Sequence, residues 1–201
     1  MRQPGKGGAA SRPPQDIVDL RRVEVVRTYL TLDDPAALRT ATGSHPNARL
    51  VRRSPCPVEL YRRLYREVGE QWFWHDRLKW SDEELADHLE SPNIAVWELL
   101  VDDDSAGYFE LHRHDDGSVE IAYFGLAPRF IGRGLGGFML TRAVHEAWNM
   151  EAQRVWLHTC TLDSPNALPG YKARGFHEVR TERLEVMIEG MQVVGERLLH
   201  D

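Results

Sequence analysis

Four glycines, Gly132, Gly134, Gly136 and Gly137, fall within six positions of the stretch RFIGRGLGGFMLTRAV, and an apolar helical pattern follows at once. Glycine lets a backbone come close to a ligand and aim N–H groups at it, and a helix opening there adds the positive end of its dipole. The loop therefore reads as a site for a phosphate-bearing cofactor, with Arg133 able to add a charge. Gly132, Gly134 and Gly137 also satisfy G-x-G-x-x-G, and Asp163 lies at the end of the next strand. Context argues against a dinucleotide. The linker APRF separates loop from strand, the strands before it read as an antiparallel meander, and only 64 residues follow Gly137. No Gly-Lys-Ser/Thr closes the loop, which excludes a Walker A motif.

Other residues could do acid–base work. Strand alternation through SVEIAYFGL puts Glu120 on one face with Ala122, Phe124 and Leu126. A carboxylate beside an apolar row is a candidate general base, or a solvated residue at a strand's start. His158 and Cys160 share a strand face, either as a nucleophile pair or as stacked neighbours, and His158 is an alternative base. His112, His114, Asp115 and Asp116 resemble a metal cluster but flank a turn, so they read as a solvated hairpin end, and no metal is expected. Asn166 can cap a short helix in which Pro169 falls at N3. The stretch WFWHDRLKW holds Trp72, Trp74 and Trp80, which form a substrate wall or pack two helices together.

Strands and helices must hold these residues in place. VEVVRTYLTL, ARLVRRS, NIAVWELLV, AGYFELHRH, SVEIAYFGL, RVWLHTC and FHEVRTERLEVM read as strands, the third to fifth joined by short turns and hence antiparallel. PVELYRRLYREVG carries helical spacing up to Gly69, and SDEELADHLES has a capping box of Ser81 and Glu84. A third helix is expected from about Gly134 to Met150, and NALPGYKARG gives a short one closed by Gly175. Residues 1–20 are rich in Gly, Pro and Arg and are expected to be a disordered tail, leaving 21–201 as a single domain.

Composition narrows the partners. The formal net charge is -6, with no basic run in the body of the chain, which argues against nucleic acid. No segment has the apolar length to cross a bilayer. Two cysteines without a CxxC pair support neither a disulfide framework nor structural zinc, and the expected location is the cytoplasm. Oligomeric state is open, a homodimer included.

EIAYFGLAP before the loop, GRGLGG within it and NALPGYKARGF after the next strand together resemble the GNAT superfamily of acyl-CoA-dependent N-acyltransferases. One position departs: Ile131 stands where the family carries Gln or Arg. The resemblance implies an α/β fold, with a mixed, mainly antiparallel sheet flanked by helices and a splayed strand pair holding acyl-CoA, parting at a bulge that Gly125 suits. It implies that Gly132, Arg133, Gly134, Leu135, Gly136 and Gly137 hold the pyrophosphate, and that Asn166 bonds the pantetheine arm. Leu126 and Ala127 would contact the thioester end, the Leu126 N–H polarising its carbonyl. It also implies that Tyr171 is the acid to the leaving thiolate, and that Glu120 matches the base of the histone-acetylating branch. The expected reaction moves an acetyl group from acetyl-CoA to a primary amine of a small molecule. An acyl-CoA-binding sensor of the same fold is the alternative.

Overall fold

Period-two alternation builds most of the sheet. The computed structural model describes residues 20–189 and contains seven strands: β1 (Leu20–Leu32), β2 (Ala48–Arg53), β3 (Ile94–Val101), β4 (Asp104–Arg113), β5 (Ser118–Leu126), β6 (Arg154–Cys160) and β7 (His177–Glu189). They form one sheet in the order β2-β3-β4-β5-β6-β1-β7. Every neighbouring pair is antiparallel except β5 and β6, which run parallel. A parallel pair needs a crossover, and helix α3 (Leu135–Asn149) supplies it. The mixed, mainly antiparallel sheet expected from the sequence is thus present. The expected tail lies outside the described residues, apart from Leu20 at the start of β1.

Helices cover both faces. α1 (Val58–Gly69) and α2 (Asp82–Glu90) pack on one side, where Tyr61, Leu64, Tyr65, Leu85 and Tyr108 are buried together. On the other side α3 buries Met139, Ala143, Val144 and Ala147 against Leu30, Phe109, Leu111 and Leu157. α4 (Ala167–Ala173) adds Tyr171 to that second core. Fully burying one leucine or phenylalanine contributes about 1.5–3 kcal/mol, so each helix is held mainly by its apolar face. Ser81 and Glu84 close the capping box at the start of α2, with bonds of 3.1 and 2.7 Å. Among the described residues no helix is long and apolar enough to cross a membrane.

Register shifts occur between β1 and β7, between β3 and β4, and between β4 and β5, and the last of these lies beside the cavity. Ile121 pairs with Leu111 and Tyr123 with Glu110, so Ala122 is an extra residue. That bulge falls three residues before Gly125, where the sequence suggested one. Gly125 has a different duty: a Cβ there would overlap Val68 Cγ1, so the missing side chain lets α1 lie close on the strand.

Candidate active site

β5 and β6 pair at only three positions, Ser118–Arg154, Val119–Val155 and Glu120–Trp156, and then part. A bulge bends the strand that carries it, and this one sits just where the pairing ends. Between the parted strands opens a cavity of about 610 Å³. Phe124, Leu126, Gly132, Gly136 and Gly137 line one stretch, Ser164, Asn166 and Tyr171 another, and the loop Trp72–Arg77 a third.

The glycine loop turns into α3 by left-handed steps at Gly132 (φ 82°) and Gly134 (φ 76°), which a residue with a Cβ enters only under strain. No side chain caps α3, so its first-turn N–H groups stay open to an anion beside the cavity. Not every loop residue faces that way. Leu135 is buried in the core, and Arg133 is exposed with its guanidinium 5.0 Å from the Phe130 ring. Neither of them, nor Gly134, lines the cavity. A cation that the sequence reading missed stands close by. A Cβ on Gly137 would come within 3.1 Å of Arg174 Nη1, which puts that guanidinium beside the first turn of α3.

Along β5 the ladder decides which amides are free. Ala127 N–H donates to Ala106 O at 2.9 Å and Ala127 is 1% exposed, so the expected role of Ala127 at the thioester is not available to its amide or side chain. Leu126 and Gly107 are the next opposed pair. Antiparallel pairs alternate, so the N–H groups of Leu126 and Phe124 turn away from β4 toward the cleft.

Tyr171 is 8% exposed and meets Phe124 and Phe176 edge-on, with ring centroids 6.2 and 6.3 Å away. Burial, and then the Asp163 carboxylate, push its phenol well above the ordinary range, so it carries its proton at neutral pH. Among the described residues its hydroxyl has no hydrogen-bond partner, which leaves it available to a ligand. Asn166 also lines the cavity, but its side chain does not cap α4. Its backbone is helical (φ -88°, ψ -6°), whereas a capping side chain needs an extended residue there. Ser164 holds the turn before α4, its Oγ accepting from Asn166 N at 3.3 Å and its backbone carbonyl from Ala167 N at 2.8 Å.

The bulge also moves Glu120. One extra residue inverts the alternation, so Phe124 and Leu126 face α3 while Glu120, Tyr123 and Gly125 face α1 and α2. The row Glu120–Ala122–Phe124–Leu126 expected from plain alternation is not formed. Glu120 sits instead on a floor of imidazoles, with His114 Nε2 at 3.2 Å and His158 Nδ1 at 3.5 Å. Cys160 lines the same cavity; burial raises its thiol above the ordinary value.

Over this floor lies the loop between α1 and α2. Trp72 and Trp74 line the cavity, and Trp74 meets Tyr123 edge-on at 5.2 Å. Trp80 does not line it. Its ring carries the Arg77 guanidinium at 4.0 Å and meets His88 edge-on. Arg77 in turn reaches the fully buried Glu110, Nη2 to Oε1 at 3.1 Å, and His88 Nε2 reaches the same oxygen at 2.9 Å. Tyr61 donates its hydroxyl to the other oxygen. Burial alone would raise the Glu110 carboxyl, but His88, Arg77 and Tyr61 outweigh it and hold it below the usual range. The sequence reading missed this anchor, although Glu110 in the middle of an apolar strand was its visible sign.

A family model described as Acetyltransferase (GNAT) family matches residues 59–176. That span runs from α1 to the start of β7 and takes in the whole glycine loop. The chain belongs to the GNAT acetyltransferase family. Its fold is shared by a GCN5-related N-acetyltransferase from Kribbella flavida, with a TM-score of 0.60 at 15% identity over 87% of this chain and 62% of that one. A GCN5-related N-acetyltransferase from Sphaerobacter thermophilus gives 0.60 at 16% identity, over 85% and 53%. An aminoglycoside acetyltransferase from an uncultured soil metagenomic sample gives 0.54 at 13% identity, over 77% of this GNAT chain and 94% of its own. This chain thus spans between about half and two thirds of the length of the first two. No curated protein sequence matches it.

Proposed function

We propose that this GNAT protein transfers the acetyl group of acetyl-CoA to a primary amine of a small molecule. The observation that carries the reading is the parting of β5 and β6 beside an uncapped helix start, with Tyr171 lining the same gap. These features fit an acyl-CoA: open N–H groups for its phosphates, a strand edge for its arm, and the Leu126 N–H for its carbonyl. When bound, the cofactor supplies an acetyl thioester, a carbonyl already open to attack by nitrogen.

The protein must do three things for that attack. It must free the amine of its proton, which at pH 7 costs about 4.6 kcal/mol for an amine of ordinary pKa near ~10.4. Glu120, directly or through a water, takes that proton. It must stabilise the charge that grows on the carbonyl oxygen as the C–N bond forms, and the Leu126 N–H points to do so. It must let the C–S bond break, and Tyr171 donates its proton to the leaving sulfur. The acid adds modestly, because a thiol of pKa about 8.5 leaves fairly well as thiolate. Gly132, Gly136, Gly137 and Asn166 hold the nucleotide and pantetheine parts, while Trp72 and Trp74 wall the acceptor. The aminoglycoside acetyltransferase of the same fold supports a small-molecule acceptor as a class and no more.

The deciding experiment is thermal stability of the protein alone, with acetyl-CoA and with NADH, followed by CoA release over a panel of amines. Acetyl-CoA at a hundred times its dissociation constant adds about 2.7 kcal/mol to the folded state, a rise of roughly 5–11 °C. A rise with NADH alone ends the reading. A rise with acetyl-CoA but no CoA release with any amine turns the reading to an acyl-CoA sensor.

A further inference from the structure

Three side chains at the floor of the cavity converge in a way the transfer does not require. His112 is the cross-strand partner of Glu120, and His114 follows two residues on, on the same face of the sheet. The Glu120 carboxylate and the two imidazoles bring one ligand atom each to within 4.8 Å of one another. The imidazole rings stand 4.2 Å apart, with His114 Nε2 3.2 Å from Glu120 Oε2. Among the described residues the ring nitrogens of His112 have no hydrogen-bond partner. Neighbouring groups fix the geometry: Trp156 packs on His114 at 5.5 Å, and its indole N–H donates to Ser118 Oγ.

We infer that His112, His114 and Glu120 form a binding site for one divalent transition-metal ion of the Zn²⁺ class. Two imidazoles and a carboxylate are the donor set such ions take, in preference to Mg²⁺ or Ca²⁺, which want oxygen alone. His158 Nδ1 lies 3.5 Å from the other Glu120 oxygen but outside the three converging ligand atoms. The site has a way in, since His112, Glu120 and His158 all line the cavity. A carboxylate bound to the ion no longer accepts the proton of an amine. Metal occupancy therefore inhibits acetyl transfer; this half of the inference rests on the function proposed above, and the binding half does not.

The test uses the full chain freed of metal by chelator dialysis and titrated with Co²⁺, whose visible absorption bands report tetrahedral coordination. One Co²⁺ per chain is expected, displaced by Zn²⁺. His112→Asn and His114→Asn should each weaken it by more than about tenfold while circular dichroism stays unchanged. No bands with the wild type, or bands unchanged in both variants, would overturn the site. Should a variant fail to fold, X-ray absorption of the Zn²⁺-loaded wild type reads the ligands directly. Imidazole nitrogen and oxygen at ~2.0–2.1 Å support the assignment, and sulfur at ~2.3 Å moves the metal to Cys160 and ends it. Amide formation that falls as the bands rise supports inhibition; unchanged amide formation at full occupancy overturns it. Where no amine is acetylated at all, the proposed function fails and the spectra still decide the metal site.

Discussion

Arg77 Nη2 lies 3.1 Å from Glu110 Oε1, and Glu110 has no exposed surface. The pair joins the loop over the cavity to β4, an interior strand of the sheet beneath it. Arg77→Ala leaves a buried carboxylate with only His88 and Tyr61 as partners. Breaking a buried pair this way costs about 3–5 kcal/mol, to be read from urea unfolding. The same variant should raise the KM for the amine more than that for acetyl-CoA, since only the loop proposed to wall the acceptor loses its anchor.

Gly125 and Val68 test the contact between α1 and β5. Gly125→Ala puts a methyl group where Val68 Cγ1 already lies. A loss of about 1–3 kcal/mol is expected from overpacking, with lower kcat as the strand edge beside the cleft shifts. Gly125→Ala with Val68→Ala should recover most of the stability. Failure of that rescue would place the strain elsewhere.

Trp72 and Trp80 should separate cleanly. Trp72→Ala removes part of the cavity wall and is expected to raise the KM for the amine severalfold with little change in unfolding midpoint. Trp80→Ala removes the surface under Arg77 and should instead cost roughly 1–3 kcal/mol. Steady-state kinetics and denaturation of both variants check the contrast.

The two cysteines give a reactivity test. Burial, chiefly, pushes the Cys56 thiol up to about 12, and the residue is 4% exposed. It should stay unmodified by iodoacetamide at pH 9, where an ordinary thiol is mostly thiolate. Cys160, on the cavity wall, should be alkylated, and acetyl-CoA should slow that reaction. Peptide mass spectrometry reads both sites. The sign for stability follows. A thiol held neutral in the fold favours the fold below its unfolded pKa near ~8.5, and that contribution is lost as pH rises from there toward 12.

The sheet and helices were legible because alternation, the Ser81–Glu84 capping box and the glycine loop are local signals. Glu120 was legible as a candidate but not its face. Ala122, the extra residue that inverts the alternation, is neither Gly nor Pro and leaves no mark in the sequence. Gly125 drew the eye to a bulge because a missing side chain looks the same whether a strand bends or a helix comes close. Trp80 was grouped with Trp72 and Trp74 by nearness in the chain, while folding turned it to Arg77 and His88. Arg77 and Glu110 are 33 residues apart, and no spacing rule joins them.

β1 and β7 pair along their lengths, so that Leu20 stands opposite Glu189. Val186, Met187 and Ile188, at that end of the pair, line the cavity. The corner of the sheet where β1 begins and β7 ends therefore stands beside the cavity, far in sequence from the glycine loop.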